Sequence, residues 1–242
     1  MSSRAPSSGL LLYIGLVFAA GAALLLWSAT RPEPWWTDTG VLLFWLFFSL
    51  AAECFWLRTP TGEGMVSMSL TANLAMLFVL PLSYVVPIGF LSVGLSDLLL
   101  HRRGPLRAVF NASQTAISLT LAYVVLRATT GMDGMAGVPL FLQSPGAMLA
   151  AAAVFFAANT LLVAGVIALH TNARFFSTWK RNYGFWYQAL SSATLSALAV
   201  ILVFAYEAVG FVSGLLFLMF FYFIRDAYHR FIRERLRSHG GA

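Results

Sequence analysis

Charged residues are scarce in this sequence. They make up 10% of its 242 residues, against about 25% in a typical soluble domain. Hydrophobic residues make up 60%, and the mean hydropathy is +0.80. Several apolar runs reach the roughly 20 residues that a helix needs to cross a bilayer. The shortage of charge therefore excludes a soluble domain and predicts an integral membrane protein.

The sequence has a single cysteine and lacks the usual metal-binding motifs. The single cysteine, Cys54, lies in an apolar run, which excludes a framework of disulfides. The four histidines show neither a HExxH motif nor any other paired spacing typical of zinc sites. No polar stretch is long enough to form a soluble catalytic domain. We therefore expect a non-enzymatic protein with no catalytic residues, no metal and no cofactor.

The apolar runs are continuous rather than alternating, which argues against strands and predicts an all-α, polytopic helical membrane protein. We predict about eight transmembrane helices, at residues 9–29, 39–57, 65–80, 83–101, 106–127, 146–169, 185–206 and 209–229. Residues 65–101 are too long for one helix, and Pro81 and Pro87 indicate a break. A re-entrant pair in this region, leaving six full spans, is the alternative. Residues 1–8 then form an N-terminal tail, 9–229 the bundle, and 230–242 a basic C-terminal tail.

The cations predict the orientation. Three segments carry most of them: "HRRGPLR" after the fourth span, Arg174 to Arg181 after the sixth, and the C-terminal tail. Three opposite loops, "RPEPWWTDTG", "RATTGMDGMAGVPLFLQS" and "YEAVG", are poor in Lys and Arg. The positive-inside rule places the cation-rich side, and both termini, in the cytoplasm. The net charge of +6 is accounted for by these cations beside the membrane, so we expect the lipid bilayer rather than nucleic acid as the partner.

Polar residues within the apolar runs are the candidate functional residues, because such groups are costly at membrane depth and face the bundle interior. Four are candidate ligand-binding residues: Glu53, Asn73, Asn111 and Gln114. Asn111 and Gln114 are spaced i, i+3 and share a helix face. Hydrogen bonding between helices is the alternative role for all of them. We also expect structural ion pairing among Arg58, Asp97 and Arg102.

Four stretches resemble, in order, the multi-span N-terminal region of bacterial signalling proteins whose soluble halves are GGDEF diguanylate cyclases or HD-type phosphodiesterases of cyclic di-GMP. They are "AECFWLRTPTGEGMVSMSLTANLAML" (52–77), "LSDLLLHRRGPLRAVFNASQTAIS" (95–118), "FFAANTLLVAGVIAL" (155–169) and "LMFFYFIRDAYHRFIRER" (218–235). No GGDEF or HD residues follow them in this chain. The resemblance therefore implies a sensor-like membrane module without its own catalytic output domain.

These observations favour a membrane sensor or interaction module, in which a small ligand binds the polar cluster and shifts the packing of the last helix. The basic cytoplasmic end of that helix is a candidate docking segment for a membrane or cytoplasmic protein partner, or an anchor on anionic lipid. The alternative is a small-molecule transporter or its substrate-binding membrane subunit, because broken helices beside polar groups are typical of transporters. A purely structural membrane subunit is the second alternative.

Overall fold

The computed structural model describes residues 7–31, 38–58, 65–131, 144–183 and 185–239. Within these ranges the chain is almost entirely helical. The helices are α1 (Ser8–Ala29), α2 (Thr39–Ala52), α3 (Ser69–Val79), α4 (Leu82–Leu95), α5 (Pro105–Thr130), α6 (Pro145–Thr171), α7 (Phe175–Tyr183), α8 (Phe185–Val209) and α9 (Val212–His239). Two short strands, β1 (Trp56–Arg58) and β2 (Met65–Ser67), lie between α2 and α3.

The helix ends follow local sequence signals. The side chains of Ser7 and Asp38 accept hydrogen bonds from backbone N–H groups in the first turns of α1 and α2, which satisfies donors that a helix start leaves open. Pro105 occupies the first position of α5, where its missing N–H costs nothing. The same helix ends at Gly131, whose φ of +69° suits a residue without a Cβ.

The strands pair in an antiparallel hairpin, with Trp56 opposite Ser67 and Leu57 opposite Val66. Predicted spans 39–57 and 65–80 both extended through residues that the structure places in this hairpin. The expectation of helix there was wrong, because aromatic and β-branched residues such as Trp56 and Val66 favour extended backbone. The strands also satisfy each other's polar backbone groups, which a buried chain requires.

Helix α3 is shorter than the predicted third span. Its 11 residues rise about 16 Å, roughly half of the 30 Å hydrocarbon thickness of a bilayer. Nearly all of its residues, including Asn73, are buried. A helix that is enclosed on every side belongs to the core of a bundle rather than to its lipid-facing surface.

Within the described residues, four helical segments are long and apolar enough to cross a membrane: Ser8–Ala29, Leu82–Leu100, Pro105–Thr130 and Pro145–Thr171. Three shorter apolar segments, Thr39–Ala52, Ser69–Val79 and Ala193–Val209, accompany them. The chain is therefore a helical membrane protein, and the count of eight spans with both termini in the cytoplasm stays a prediction.

Helix α5 lies at the centre of one half of the bundle, where it packs against α1, α4 and α6. Helix α2 packs against α3, α4 and α9, and α3 also contacts α8. Close approach depends on small residues. A Cβ added at Gly21 of α1 would lie 2.5 Å from the Cβ of Ser113 of α5. These contacts hold in place the polar ends of α2, α4 and α5, where the candidate site is formed.

Helix α4 changes its winding at its end. Residues Ser96–Leu100 form a π-helical turn, and the backbone N–H of His101 donates to the carbonyl oxygen of Ser96 at 2.9 Å. Arg102 then takes a left-handed conformation with φ of 50°. Such π-helical turns are frequent at functional sites, and this one places Asp97 inside the protein.

Candidate functional site

Glu53 lies directly after α2, at the entrance to the hairpin, and its side chain is buried with 4% of its surface exposed. The Ser69 hydroxyl donates a hydrogen bond to Glu53 Oε1, and the Ser67 hydroxyl oxygen lies 3.2 Å from Oε2. Ser67 in turn accepts from the backbone N–H of Ser69 at 3.1 Å. These hydroxyl groups offset part of the cost of burying a carboxyl group. The hairpin register places Ser67, and the start of α3 places Ser69, so Glu53 joins three elements.

A second polar contact lies one turn deeper between α2 and α3. Ser49 precedes Glu53 by four residues, and Asn73 follows Ser69 by four, so each pair shares a helix face. Ser49 Oγ lies 3.4 Å from Asn73 Oδ1 and 3.0 Å from Ser92 Oγ of α4. The three buried side chains therefore bind α2, α3 and α4 to one another.

Asp97 forms the other half of the site, on the π-helical turn. It is 2% exposed and accepts from Arg103 Nη1 at 2.7 Å and from Asn111 Nδ2 of α5 at 2.5 Å. The backbone N–H of Arg103 also donates to the Asp97 carbonyl oxygen at 2.8 Å. Asp97 thus closes the turn between α4 and α5 and fixes the first turns of α5.

The cation that pairs with Asp97 is Arg103, which corrects the choice of Arg102 from the sequence. The left-handed backbone of Arg102 leaves its side chain exposed, while the next residue returns toward the carboxylate. The side chain of Arg58, the third residue of the expected ion-pair group, lies outside the described part of the chain.

Trp56 links the two halves. Its indole N–H lies 2.5 Å from the carbonyl oxygen of Glu53 and 3.1 Å from His101 Nε2. The guanidinium of Arg103 lies 4.8 Å from the centre of the Trp56 ring, within cation–π distance. Glu53, Trp56, His101, Arg103 and Asp97 therefore form a continuous chain of contacts, which we call the junction network together with Ser67, Ser69 and Asn111.

His101 follows the end of the apolar segment Leu82–Leu100 and belongs to this network. Burial lowers the pKa of His101 from its usual 6.5, and the nearby charge of Arg103 lowers it further. A neutral imidazole can accept the Trp56 hydrogen bond, whereas a protonated one cannot. The surroundings of His101 thus favour the form that completes the network.

Gln114 lies elsewhere. Its amide Nε2 donates to the backbone carbonyl of Asn159 on α6 at 3.2 Å, and Ser118 donates to the Gln114 carbonyl oxygen at 2.9 Å. The four predicted ligand residues are therefore distributed over three places. Glu53 and Asn111 lie at opposite ends of the junction network, Asn73 lies one turn deeper than Glu53, and Gln114 faces α6.

Several residues of the site were absent from the sequence-based set, Trp56 and His101 above all. A tryptophan three residues after a buried acid is a weak signal by itself, although its N–H usually finds a partner when buried. Helix α7 was also missed within a predicted cytoplasmic loop. Its Trp179 Nε1 donates to Thr160 Oγ1 of α6 at 3.2 Å, which holds this short helix against the bundle.

The polar groups of the network are paired within the protein. The Glu53 carboxyl group accepts from the hydroxyls of Ser67 and Ser69, and the Asp97 carboxylate accepts from Arg103 and Asn111. Among the described residues, no three His, Cys, Asp or Glu side chains come together as metal ligands. Such an arrangement locks the relative positions of α2, the hairpin, α4 and α5.

Long apolar helices around buried polar contacts define a helical membrane domain. The chain belongs to the MASE9 family, a membrane-associated sensor domain family, whose model matches residues 38–230. Neither curated proteins nor solved structures gave a match to this sequence. The matched range includes the whole junction network, and the family points to a membrane sensor with a non-catalytic role.

Proposed function

We propose that the chain is the sensing module of a bacterial inner-membrane signalling system, with multiple spans and both termini in the cytoplasm. The family match supports the sensor role. The apolar helices, with cations concentrated at one end, support the location. The module itself catalyses nothing. A protein partner, engaged through the cytoplasmic end of α9, supplies the output.

One contact carries this proposal. Arg225 of α9 donates through Nη1 to the backbone carbonyl oxygen of Cys54 at 3.3 Å, and Cys54 is the neighbour of Glu53 in the chain. Helix α9 also packs against β1. A change in the junction network therefore reaches the last helix through one peptide unit and the adjoining strand.

The proposed signal is a shift between two packings of the hairpin against α4 and α9. A ligand shifts such an equilibrium only by its difference in affinity for the two states. A small ligand with hydrogen-bonding groups would achieve this by exchanging bonds with Glu53, Asn73, Asn111 or Gln114. Each of these groups is already hydrogen-bonded to another side chain or, for Gln114, to a backbone carbonyl of α6. A ligand that takes over such a bond therefore changes a contact that holds the helices together.

The test is a distance measurement on the full chain in lipid nanodiscs. With Cys54 replaced by serine, spin labels are placed at Arg107 and Arg230, which are both exposed at the predicted cytoplasmic side. Pulsed electron resonance then gives the distance between the start of α5 and the end of α9. We expect Glu53→Gln and Arg225→Ala each to broaden this distribution or shift its mean by at least 2 Å.

Glu207→Gln is the matched control, because Glu207 is exposed near the far end of α8. It should leave the distribution unchanged. Unchanged distances in both folded Glu53→Gln and folded Arg225→Ala would refute coupling between the network and α9.

The transporter alternative is tested separately. Uptake of a co-purifying small molecule into sealed vesicles, lost on substitution of Asn73 or Gln114, would favour transport over sensing. Purification from the native membrane in mild detergent, followed by mass spectrometry, identifies both a bound molecule and a stoichiometric partner. A stoichiometric partner with an output domain supports the sensor proposal.

A further inference from the structure

Two arginines stand apart from the other cations of the chain. Of its 15 Lys and Arg residues, 13 lie on the predicted cytoplasmic side. Arg31 and Arg127 are the cations of the three predicted outer loops. The positive-inside rule places cations on the cytoplasmic side, so it does not account for these two.

The structure brings them together. Arg31, just after α1, and Arg127, in the last turn of α5, line one cavity of about 440 Å³. Trp27 and Tyr123 line it as well. This volume lies within the range of about 300–1,000 Å³ of small-molecule sites. The cavity is at the end of the bundle opposite the junction network, since α1 and α5 both end there.

Each wall pairs an aromatic ring with a guanidinium. Tyr123 and Arg127 are four residues apart on α5, so they share a face of that helix, whereas Arg31 follows the end of α1 and lies beside Trp27. The Arg31 guanidinium carbon lies 4.1 Å from the centre of the Trp27 ring and 6.0 Å from that of Tyr123. The Arg31 guanidinium thus lies within cation–π distance of both rings, closest to Trp27. At the cavity edge, α5 terminates at Gly131.

The chemistry of this arrangement favours an anion. A guanidinium has five N–H donors, so each arginine can keep its contacts within the protein and still donate to a ligand. Its planar fork fits carboxylate and phosphate oxygens, and aromatic walls suit a planar ligand group.

We propose that this cavity binds a small organic anion, whose carboxylate or phosphate group is held between Arg31 and Arg127 and whose remainder lies against Trp27 and Tyr123. This inference rests on the proposed sensor function for its biological meaning, because it names the chemical class of ligand that the sensor detects. The binding itself stands on the cavity alone.

Binding is measured on the full chain in phosphatidylcholine nanodiscs, by isothermal titration with benzoate and with phenyl phosphate. Benzyl alcohol, which has a similar ring and no charge, is the control ligand. We expect saturable binding of at least one anion and none of benzyl alcohol. Arg31→Gln and Arg127→Gln should each weaken binding at least tenfold, or about 1.4 kcal/mol. Arg31→Lys, which keeps the charge but loses the fork, should weaken it less than Arg31→Gln.

Arg107→Gln is the matched control variant, since Arg107 is exposed near the opposite end of the same helix α5. It should bind like the unmodified protein. Anion binding that is equal in Arg31→Gln, Arg127→Gln and Arg107→Gln overturns the proposal, as does the absence of saturable binding for both anions.

Nanodiscs containing phosphatidylglycerol distinguish a soluble anion from a lipid headgroup. If this lipid weakens binding of the soluble anion, and the effect disappears in Arg31→Gln, then the cavity binds a lipid headgroup. If the affinity for the soluble anion is the same with and without phosphatidylglycerol, the natural occupant is a soluble anion. The distance between spin labels at Arg107 and Arg230 tests the anion site and the sensor mechanism separately. Anion binding that leaves this distance unchanged supports the anion site and refutes its coupling to α9.

Discussion

Removal of the Asp97 carboxylate should be among the most costly single changes in this protein. Asp97 is 2% exposed, and its partner Arg103 is 16% exposed. In an Asp97→Ala variant, Arg103 loses its ion pair and Asn111 loses its acceptor. Breaking a fully buried pair costs about 3–5 kcal/mol. Because Arg103 retains some contact with solvent, we expect a loss of about 2–3 kcal/mol in the free energy of unfolding.

The measurement is reversible unfolding in mixed micelles with increasing SDS, followed by tryptophan fluorescence. A double-mutant cycle of Asp97→Ala with Arg103→Ala isolates the pair, and we expect a coupling energy of about 1–3 kcal/mol. Asp226→Asn is the matched control, because Asp226 and Arg230 form an i, i+4 ion pair at 2.6 Å on the exposed side of α9. That change should cost at most about 0.5 kcal/mol.

Equal losses for Asp97→Ala and Asp226→Asn would show that the Asp97 contacts contribute no more than a surface pair. A coupling energy near zero in the cycle would show that Asp97 and Arg103 are energetically independent despite their 2.7 Å separation. Either result contradicts the role of Asp97 as the closure of the α4–α5 turn.

Two further predictions concern packing and pH. A Cβ at Gly214 of α9 would lie 2.5 Å from an aromatic ring of α2, so Gly214→Val should lower the melting temperature in detergent. At Gly15 a Cβ meets nothing within 4 Å, so Gly15→Ala should leave the melting temperature unchanged or raise it. Equal melting temperatures for the two variants would contradict close packing of α2 against α9. Because the pKa of His101 is lower in the folded protein than its usual 6.5, its stabilising contribution is present above about pH 6.5 and lost as the pH falls through the folded value. The stability advantage of the unmodified protein over His101→Gln should therefore shrink between pH 7.5 and 5, and an advantage that grows on acidification contradicts this sign.

The sequence by itself determined the helical class and most helix positions. The spans predicted at 106–127 and 146–169 correspond to α5 at Pro105–Thr130 and α6 at Pro145–Thr171. Continuous apolar runs, prolines at helix starts and Gly131 at a helix end are local signals, and each acts within a few residues. The bounds of these two helices could therefore be predicted to within about three residues without knowledge of the fold.

The sequence also marked Glu53, Asp97 and Asn111 as unusual, because a polar group in an apolar run is costly wherever the chain places it. Their partners could not be predicted in the same way. Ser69 meets Glu53 across 16 residues, and His101 meets Trp56 across 45. These contacts depend on the path of the hairpin and on the packing of α4 on α2. Only the tertiary structure sets those distances.

The choice between Arg102 and Arg103 shows the same limit at short range. Both follow Asp97 closely, and the composition of the turn does not distinguish them. The π-helical winding of Ser96–Leu100 and the positive φ of Arg102 expose one side chain and return the other to the carboxylate. Likewise, nothing local predicts that Arg31 and Arg127, 96 positions apart in the sequence, line one cavity. The pattern of apolar residues and the free-energy cost of burying a polar group are properties of one segment. The partner that a polar group finds depends on which segments pack together.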